Sequence, residues 1–234
     1  GFGGNKEMAD EYNNYWPAGL LNVATDQVAS TQGDGITMAL AVGADTEGMG
    51  YTQLFPAVNT VTNDTGPLQG FDTINAIYIN KNGERFVNEY AERDVMSKAV
   101  LEQPEALHFQ ICDDTVEQAR LEAGKGPSWE KLLKFVERGA FCIAETIEDA
   151  AAFIGCDVET LQATLDNYNQ AVDNAYDPLT GRTVFGDKCD TPPYYISPVH
   201  CAIHNTMGGL KINTENAVLS TDGEGIPGLY AAGE

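Results

Sequence analysis

Three short stretches carry residue types that could do chemistry. In "HNTMGG", residues 204–209, a lone histidine precedes a threonine and two adjacent glycines. The pattern fits either a tight turn that carries His204, or a place where the backbone at Gly208 and Gly209 approaches a ligand that His204 holds. In "NEYAERD", Arg93 stands among Glu89, Glu92 and Asp94. An arginine among acids ordinarily ends in a surface ion pair, because its guanidinium hardly ever gives up a proton. In "GDG", Asp34 lies between Gly33 and Gly35, at the opening of an apolar run. There an Asp reads as the cap of a helix.

The elements that must position these residues fall into three zones. Residues 1 to about 53 are Gly-rich, with a helix expected in "GITMALAVGA" and a strand in "MGYTQLF". In the middle zone, "NAIYIN", "KNG" and "ERFVNE" read as strand, turn and second extended piece, which is a hairpin pattern. "SWEKLLKFVERGA" is amphipathic and ends on glycine. "TIEDAAAFIG" opens with Thr146 and an acid three residues on at Asp149, a capping-box spacing. Val158, Leu161, Leu165, Tyr168 and Val172 step by three and four residues, which makes one apolar helix face. "DPLTGRTVFGDKCDTPPYY" is a Pro/Gly-rich connector without period. From about 196 onward, "LKIN", "AVLS" and "GLYAAGE" read as short strands joined by turns. The first and last zones are sheet-and-turn material with a helical region between them. The expected organisation is therefore an α+β chain with a discontinuous domain, residues 1–53 and 196–234, enclosing an inserted domain, residues 54–195.

Composition narrows the function classes. The chain has 234 residues, and 13 Lys and Arg stand against 35 Asp and Glu for a net charge of -22. A balance that acidic argues against nucleic acid and anionic membrane as partners, since their binding runs on phosphate neutralisation. No run approaches the roughly 18 apolar residues that cross a bilayer. Five widely spaced cysteines without a C-x-x-C pair are expected as free thiols, not as a disulfide framework or a zinc site. No other metal site is expected.

The order of motifs then supports a resemblance. "GFGGN", "GDGITMALAVGA", "MGYTQLFP", "NGERFVNEYAERD", "HNTMGGLKIN" and "IPGLYAAGE" together resemble the flavoprotein family of soluble fumarate reductases, succinate dehydrogenase flavoprotein subunits, urocanate reductases and 3-ketosteroid dehydrogenases. "TIEDAAAFIGCDVETLQATLDNYNQAVD…DPLTGR" resembles that family's mobile capping domain. The family carries a G-x-G-x-x-G dinucleotide turn before these motifs and a Gly-rich, arginine-bearing segment after them, and neither is present here. The resemblance thus implies an internal portion of a longer flavoenzyme, with the cap and part of the FAD domain, which does not hold FAD tightly or turn over alone.

The resemblance also implies roles. FAD is the cofactor, contacted by Gly33, Asp34, Gly35 and Glu234. Arg93 matches the family's proton donor, with Glu89, Glu92 and Asp94 as nearby acids to restore its proton. His204 matches the histidine that grips a substrate carboxylate or carbonyl, with Thr206 and Gly208 beside it. His108 and His200 match no family site and read as structural.

Two departures bear on the substrate. Dicarboxylate-specific members carry a histidine in "Q-x-H-P", where this chain has Phe55 in "QLFP". Leu68, Gln69 and Asp72 stand where polar and cationic partners are expected. A second carboxylate would meet an apolar wall and a negative group. Fumarate is therefore a poor substrate, and an unsaturated acid or carbonyl compound with a larger apolar body a better one.

Two alternatives stay open. One is the same scaffold run as a dehydrogenase, as in 3-ketosteroid dehydrogenases, with Tyr51, Tyr78 and Tyr90 available. The other is a non-catalytic binding domain. An electron donor, whether a haem domain, an FMN domain or another carrier, would lie outside these residues. The resemblance fits both cytoplasmic and exported, periplasmic members.

Overall fold

A computed structural model describes every residue except 17–18, 66, 69–72, 76 and 234. In chain order the elements are α1 (Lys6–Tyr12), β1 (Ala24–Thr25), α2 (Asp34–Leu40), β2 (Thr46–Glu47), β3 (Thr52–Asn59) and β4 (Ile77–Ile79). There follow α3 (Arg93–Leu101), β5 (Leu107–Cys112), α4 (Asp114–Glu122), α5 (Trp129–Glu137), β6 (Cys142–Ala144), α6 (Ile147–Ile154) and α7 (Val158–Asn174). The chain closes with β7 (Tyr194–Thr206), β8 (Gly209–Leu210), β9 (Ala217–Leu219) and β10 (Gly225–Tyr230). This is an α+β chain with mixed sheets. Among the described residues no helix is long and apolar enough to cross a membrane.

Several helix ends follow caps written into the sequence. The Thr146 hydroxyl accepts from the Asp149 N–H at 3.2 Å and donates to the Asp149 carboxylate at 2.9 Å, opening α6. Gly155 closes it at φ +83°, a conformation that costs a glycine nothing. Ser128 caps α5 and Asp157 caps α7 in the same way. Helix α2 is shorter than expected. It stops at Leu40, and Gly43 turns the chain at φ +88°. The expected second strand in "ERFVNE" is reduced to an isolated bridge between Ile79 and Arg85.

The chain divides into two compact units. Unit one is Gly1–Phe55 with Ala202–Glu234, and unit two is Pro56–Cys201. In unit two, β5 pairs antiparallel with β4 (Tyr78 opposite Gln110) and with β7 (Gln110 opposite Ser197). Strand β6 also pairs with β7. Pro198 sits inside β7 and looks like a strand breaker in the sequence, yet its carbonyl accepts from the Thr60 N–H at 3.1 Å. Helix α7 lays Leu161, Leu165 and Tyr168 against Ile77, Ile79, Ile111 and Ile196 of the sheet. Val158 and Val172 pack at the margin of that core. Leu68 joins a second cluster with Leu132, Phe141 and Tyr195, so its apolar character serves packing.

The "NGERFVNE" and "DPLTGR" segments meet in a buried ion network. Arg85 donates to Glu89 from Nε and Nη2, both at 2.7 Å, and to Asp177 from Nη1 at 2.8 Å. Arg182 reaches Glu89 Oε2 at 2.8 Å, and the Tyr78 N–H donates to Glu89 Oε1 at 3.2 Å. Both guanidinium groups lie over the Tyr168 ring, at 5.0 and 5.7 Å. Burial alone would push Asp177 up, but the Thr180 hydroxyl, the Leu179 N–H and the Arg85 guanidinium hold its carboxyl below the usual range. Glu89 is 1 % exposed, held by both guanidinium groups and the Tyr78 N–H.

With Glu89 neutral, the two buried guanidinium groups would share the Asp177 carboxylate alone, and Arg182 would lose its carboxylate partner Glu89. Glu89→Gln is expected to destabilise the folded protein by about 3–5 kcal/mol in denaturant unfolding. A change under about 1 kcal/mol would show the network to be incidental.

His108 is a second buried polar group. It is 0 % exposed, its ring stacks on Tyr78 at 4.4 Å, and Phe86 meets it edge-on at 5.8 Å. Neither ring nitrogen has a hydrogen-bond partner. Burial, with His200 adding to it, pushes the imidazole down from 6.5 to about 3. The fold therefore holds His108 neutral, and its contribution is complete above the unfolded value and lost as pH falls from 6.5 toward 3. Unfolding titrations should show a slope near 1.4 kcal/mol per pH unit from this group, removed in His108→Phe. An identical acid slope in the variant would assign the effect elsewhere.

Candidate active site

Unit one supplies the residues around His204. The end of β7 runs parallel to β1, with Ala24 opposite Ala202 and Thr25 opposite Ile203. The Asp26 N–H donates to the Ile203 carbonyl at 3.2 Å, and the Gln27 side-chain amide donates to the His204 carbonyl. This pairing sets His204 Nδ1 2.6 Å from Asp26 Oδ2. The Phe55 ring lies 5.1 Å from the imidazole, tilted by 36°. The Asp26 side chain is 9 % exposed and His204 35 %, so the carboxylate is buried while the ring stays partly open. Asp26 escaped sequence reasoning, since it is 178 residues from its partner and "ATDQV" has no period or motif to mark it.

Thr206 is turned inward. Its hydroxyl accepts from the Phe2 N–H at 3.1 Å, and the residue is 2 % exposed. With Gly208 it borders a cavity of about 310 Å³. Gly208 was expected to be small so that a ligand could approach, and the structure gives another cause. A Cβ there would collide with the backbone of Gly48 and Met49. The chain's own close packing demands the glycine.

A larger cleft of about 660 Å³ brings together Gly33 and Gly35 at the start of α2, Gly208–Leu210, and Leu229–Gly233. Its walls include Ile36, Met38, Val42 and Tyr230. Met38, Val42 and Tyr230 are each more than 60 % exposed, which is a large apolar surface on so acidic a chain. Gly33 holds φ +81°, and a Cβ on it would meet Met8 Sδ at 2.7 Å and Phe2 Cβ at 2.9 Å. Gly35, Gly209 and Gly233 are different, for a Cβ on any of them would find no atom within 4 Å. Their backbone faces open space. The expected cap by Asp34 is absent: the N-cap of α2 is Gly33, with no side-chain cap bond, and Asp34 is the exposed first residue of the helix. Glu234 lies outside the described residues.

Arg93 belongs to unit two, where it is the exposed first residue of α3. Its charge favours the phenolate of Tyr78, although burial dominates and raises that phenol well above its ordinary value. Glu92 is the N-cap of α3 and is exposed. Asp94 lies 3.9 Å from Lys98, a loose pair on the helix surface.

Apolar walls beside open glycine backbone form one cleft of unit one, and in the same unit a buried carboxylate stands against a partly open histidine. The chain matches the FAD binding domain family over residues 3–234 and belongs to it. It is 36 % identical over its whole length to the NADH:acrylate oxidoreductase of Vibrio harveyi, covering 23 % of that protein. It is 36 % identical over its whole length to the urocanate reductase of Eggerthella lenta, covering 38 % of it. The open conformation of a flavocytochrome c3 fumarate reductase superposes with a TM-score of 0.79 at 29 % identity, over 100 % of this chain and 39 % of that one. A 3-ketosteroid Δ1-dehydrogenase from Sterolibacterium denitrificans shares the fold, with a TM-score of 0.68 at 22 % identity over 98 % of this chain and 45 % of that one. The chain thus spans between about a quarter and two-fifths of the length of the curated relatives named here.

FAD is the cofactor of this family, and the residues present fit it. The unfilled space at Gly35, Gly209 and Gly233 admits a ligand against bare backbone, and Ile36, Met38 and Tyr230 give an apolar flank. In the full-length protein Gly35→Val should lower flavin content severalfold while costing under about 1 kcal/mol of stability, because the new side chain enters the cleft. Gly208→Ala should instead impair folding. Flavin content unchanged in Gly35→Val would place the cofactor elsewhere.

Proposed function

We propose that this chain is the substrate-gripping part of an FAD-dependent reductase that saturates a C=C bond conjugated to a carboxylate or carbonyl. The observation that carries the reading is the Asp26–His204–Phe55 constellation, a partly open imidazole backed by a buried carboxylate and flanked by an aromatic ring. Bound FAD would supply the hydride for one alkene carbon. His204 holds the activating oxygen of the substrate and stabilises the charge that grows there. Arg93 delivers the proton to the other carbon, with Glu89, Glu92 and Asp94 the nearby acids that restore it. Gly33, Asp34 and Gly35 contact the cofactor, and Thr206 and Gly208 shape the substrate turn. The relatives named for acrylate, urocanate and fumarate support this class of reaction.

The substrate has one activating group and an apolar or aromatic body. Phe55 is 7 % exposed and its ring lies against His204, so that side of the imidazole is an apolar wall that disfavours a second carboxylate. Leu68 is committed to the core of unit two, while Gln69 and Asp72 lie outside the described residues. The dehydrogenase reading gains nothing from Tyr78, whose buried phenol resists ionisation. An electron-donating domain or carrier completes the cycle.

The test is anaerobic reoxidation of the reduced full-length flavoprotein by a panel of α,β-unsaturated acids, enones and steroids. Aryl or alkyl monoacids should outpace fumarate by at least about tenfold, since an unpaired carboxylate costs a kcal/mol or more. Arg93→Ala should lower turnover by roughly 10²–10⁴-fold with flavin retained. Reoxidation by no compound of the panel would remove the reductase assignment, and an unchanged Arg93→Ala would remove the proton donor.

A further inference from the structure

The Asp26–His204 pair is more than a contact at the edge of the site. Its geometry is fixed by backbone on both sides. The Thr25 hydroxyl donates to the Gly3 carbonyl at 2.8 Å and lies 3.2 Å from the Ile203 carbonyl, and the Gln27 N–H donates to the Thr25 hydroxyl at 3.1 Å. Together with the Asp26 N–H bond to Ile203, these bonds leave the carboxylate little freedom to swing away. At 2.6 Å the imidazole and the carboxylate must share a proton, and the ionised carboxylate has none of its own to give. Nδ1 therefore carries the proton. Nε2 is left without a hydrogen-bond partner among the described residues, on a ring that is partly open.

The second carboxylate oxygen sharpens the point. Among the described residues Asp26 Oδ1 is buried without a hydrogen-bond partner, and the imidazole is the polar group paired with this carboxylate. Buried charge with so little compensation is costly, and such an arrangement persists where it serves a site.

We propose that Asp26 is a positioning residue that commits Nδ1 of His204 to itself and turns Nε2 into the single polar contact for the substrate's activating oxygen. The proposal rests on the reductase reading and assigns a role to a residue that reading does not require. With Nδ1–H committed to Asp26 a bare Nε2 only accepts, so the form that grips the oxygen carries a second proton on Nε2. As charge accumulates on the substrate oxygen, that imidazolium gains from the carboxylate behind it. The gain appears in the transition state more than in the bound ground state, so Asp26 acts on kcat more than on KM. The carboxylate also cancels the charge of the imidazolium. The pair offers one directed N–H and no net positive field, which suits one activating oxygen and gives nothing to a second carboxylate.

The experiment uses the full-length flavoprotein with and without Asp26→Asn, which keeps the shape and the backbone bond to Ile203. Expected is a fall in kcat of roughly 10–100-fold for an unsaturated monocarboxylate with KM little changed, the scale seen when the outer partner of a working imidazole is removed. Unchanged kcat, or a rise in KM alone, overturns the proposal. Nitrogen-15 labelling of histidine in the full-length flavoprotein, with a His204→Gln reference, isolates the His204 ring signals by difference. The wild-type spectrum at neutral pH should show a protonated Nδ1, and a bare Nδ1 overturns the proposal even where Asp26→Asn fails to fold. If the wild-type enzyme reduces no alkene, the reductase reading fails, while the nitrogen signals still decide whether Asp26 holds Nδ1.

Discussion

The constraint on which the rest depends is the pairing of one long strand. Buried backbone N–H and C=O groups must find partners, and β7 has 13 residues of them, most of them buried. In unit two its first residues satisfy β5 and β6, and those strands in turn form the floor on which α7 packs. In unit one its last residues satisfy β1, and that short ladder brings Asp26 to His204. His204 therefore inherits its position from sheet hydrogen bonding. A flexible loop could not hold a carboxylate 2.6 Å from a ring nitrogen without other fastening.

What was legible in the sequence was local. The Thr146–Asp149 box, the glycine at 155 and the face made by Leu161, Leu165 and Tyr168 all act within one or two helical turns, and spacing alone exposes them. The order of motifs also pointed to the FAD binding domain family. Long-range pairings were not legible. Arg85 and Asp177 are 92 residues apart and Glu89 and Arg182 are 93 apart, so "DPLTGR" read as a connector when it is half of a buried ion network. For the same reason the hold of Arg182 on Glu89 was hidden. Strand β7 was hidden because Pro198 interrupts a run that the sheet tolerates by pairing its carbonyl.

Glycine taught a similar lesson. "MGG" suggested two residues kept small for a ligand, but Gly208 is required by Gly48 and Met49, while Gly209 beside it looks onto open space. Sequence shows that a side chain is missing, and only coordinates show what fills its place. Phe55 is the converse case. Its type alone argued for loss of a second carboxylate clamp, and the structure sets its ring against His204.

The central claim is that His204 holds the activating oxygen of an alkene substrate. The most direct test is the second-order rate of flavin reoxidation by an unsaturated monocarboxylate in full-length His204→Gln beside the wild type, with flavin content measured in both. The account predicts a loss of roughly 10²–10³-fold at unchanged flavin content, the scale for removing one donor to a developing oxyanion. An unchanged rate in the flavin-loaded variant would contradict it.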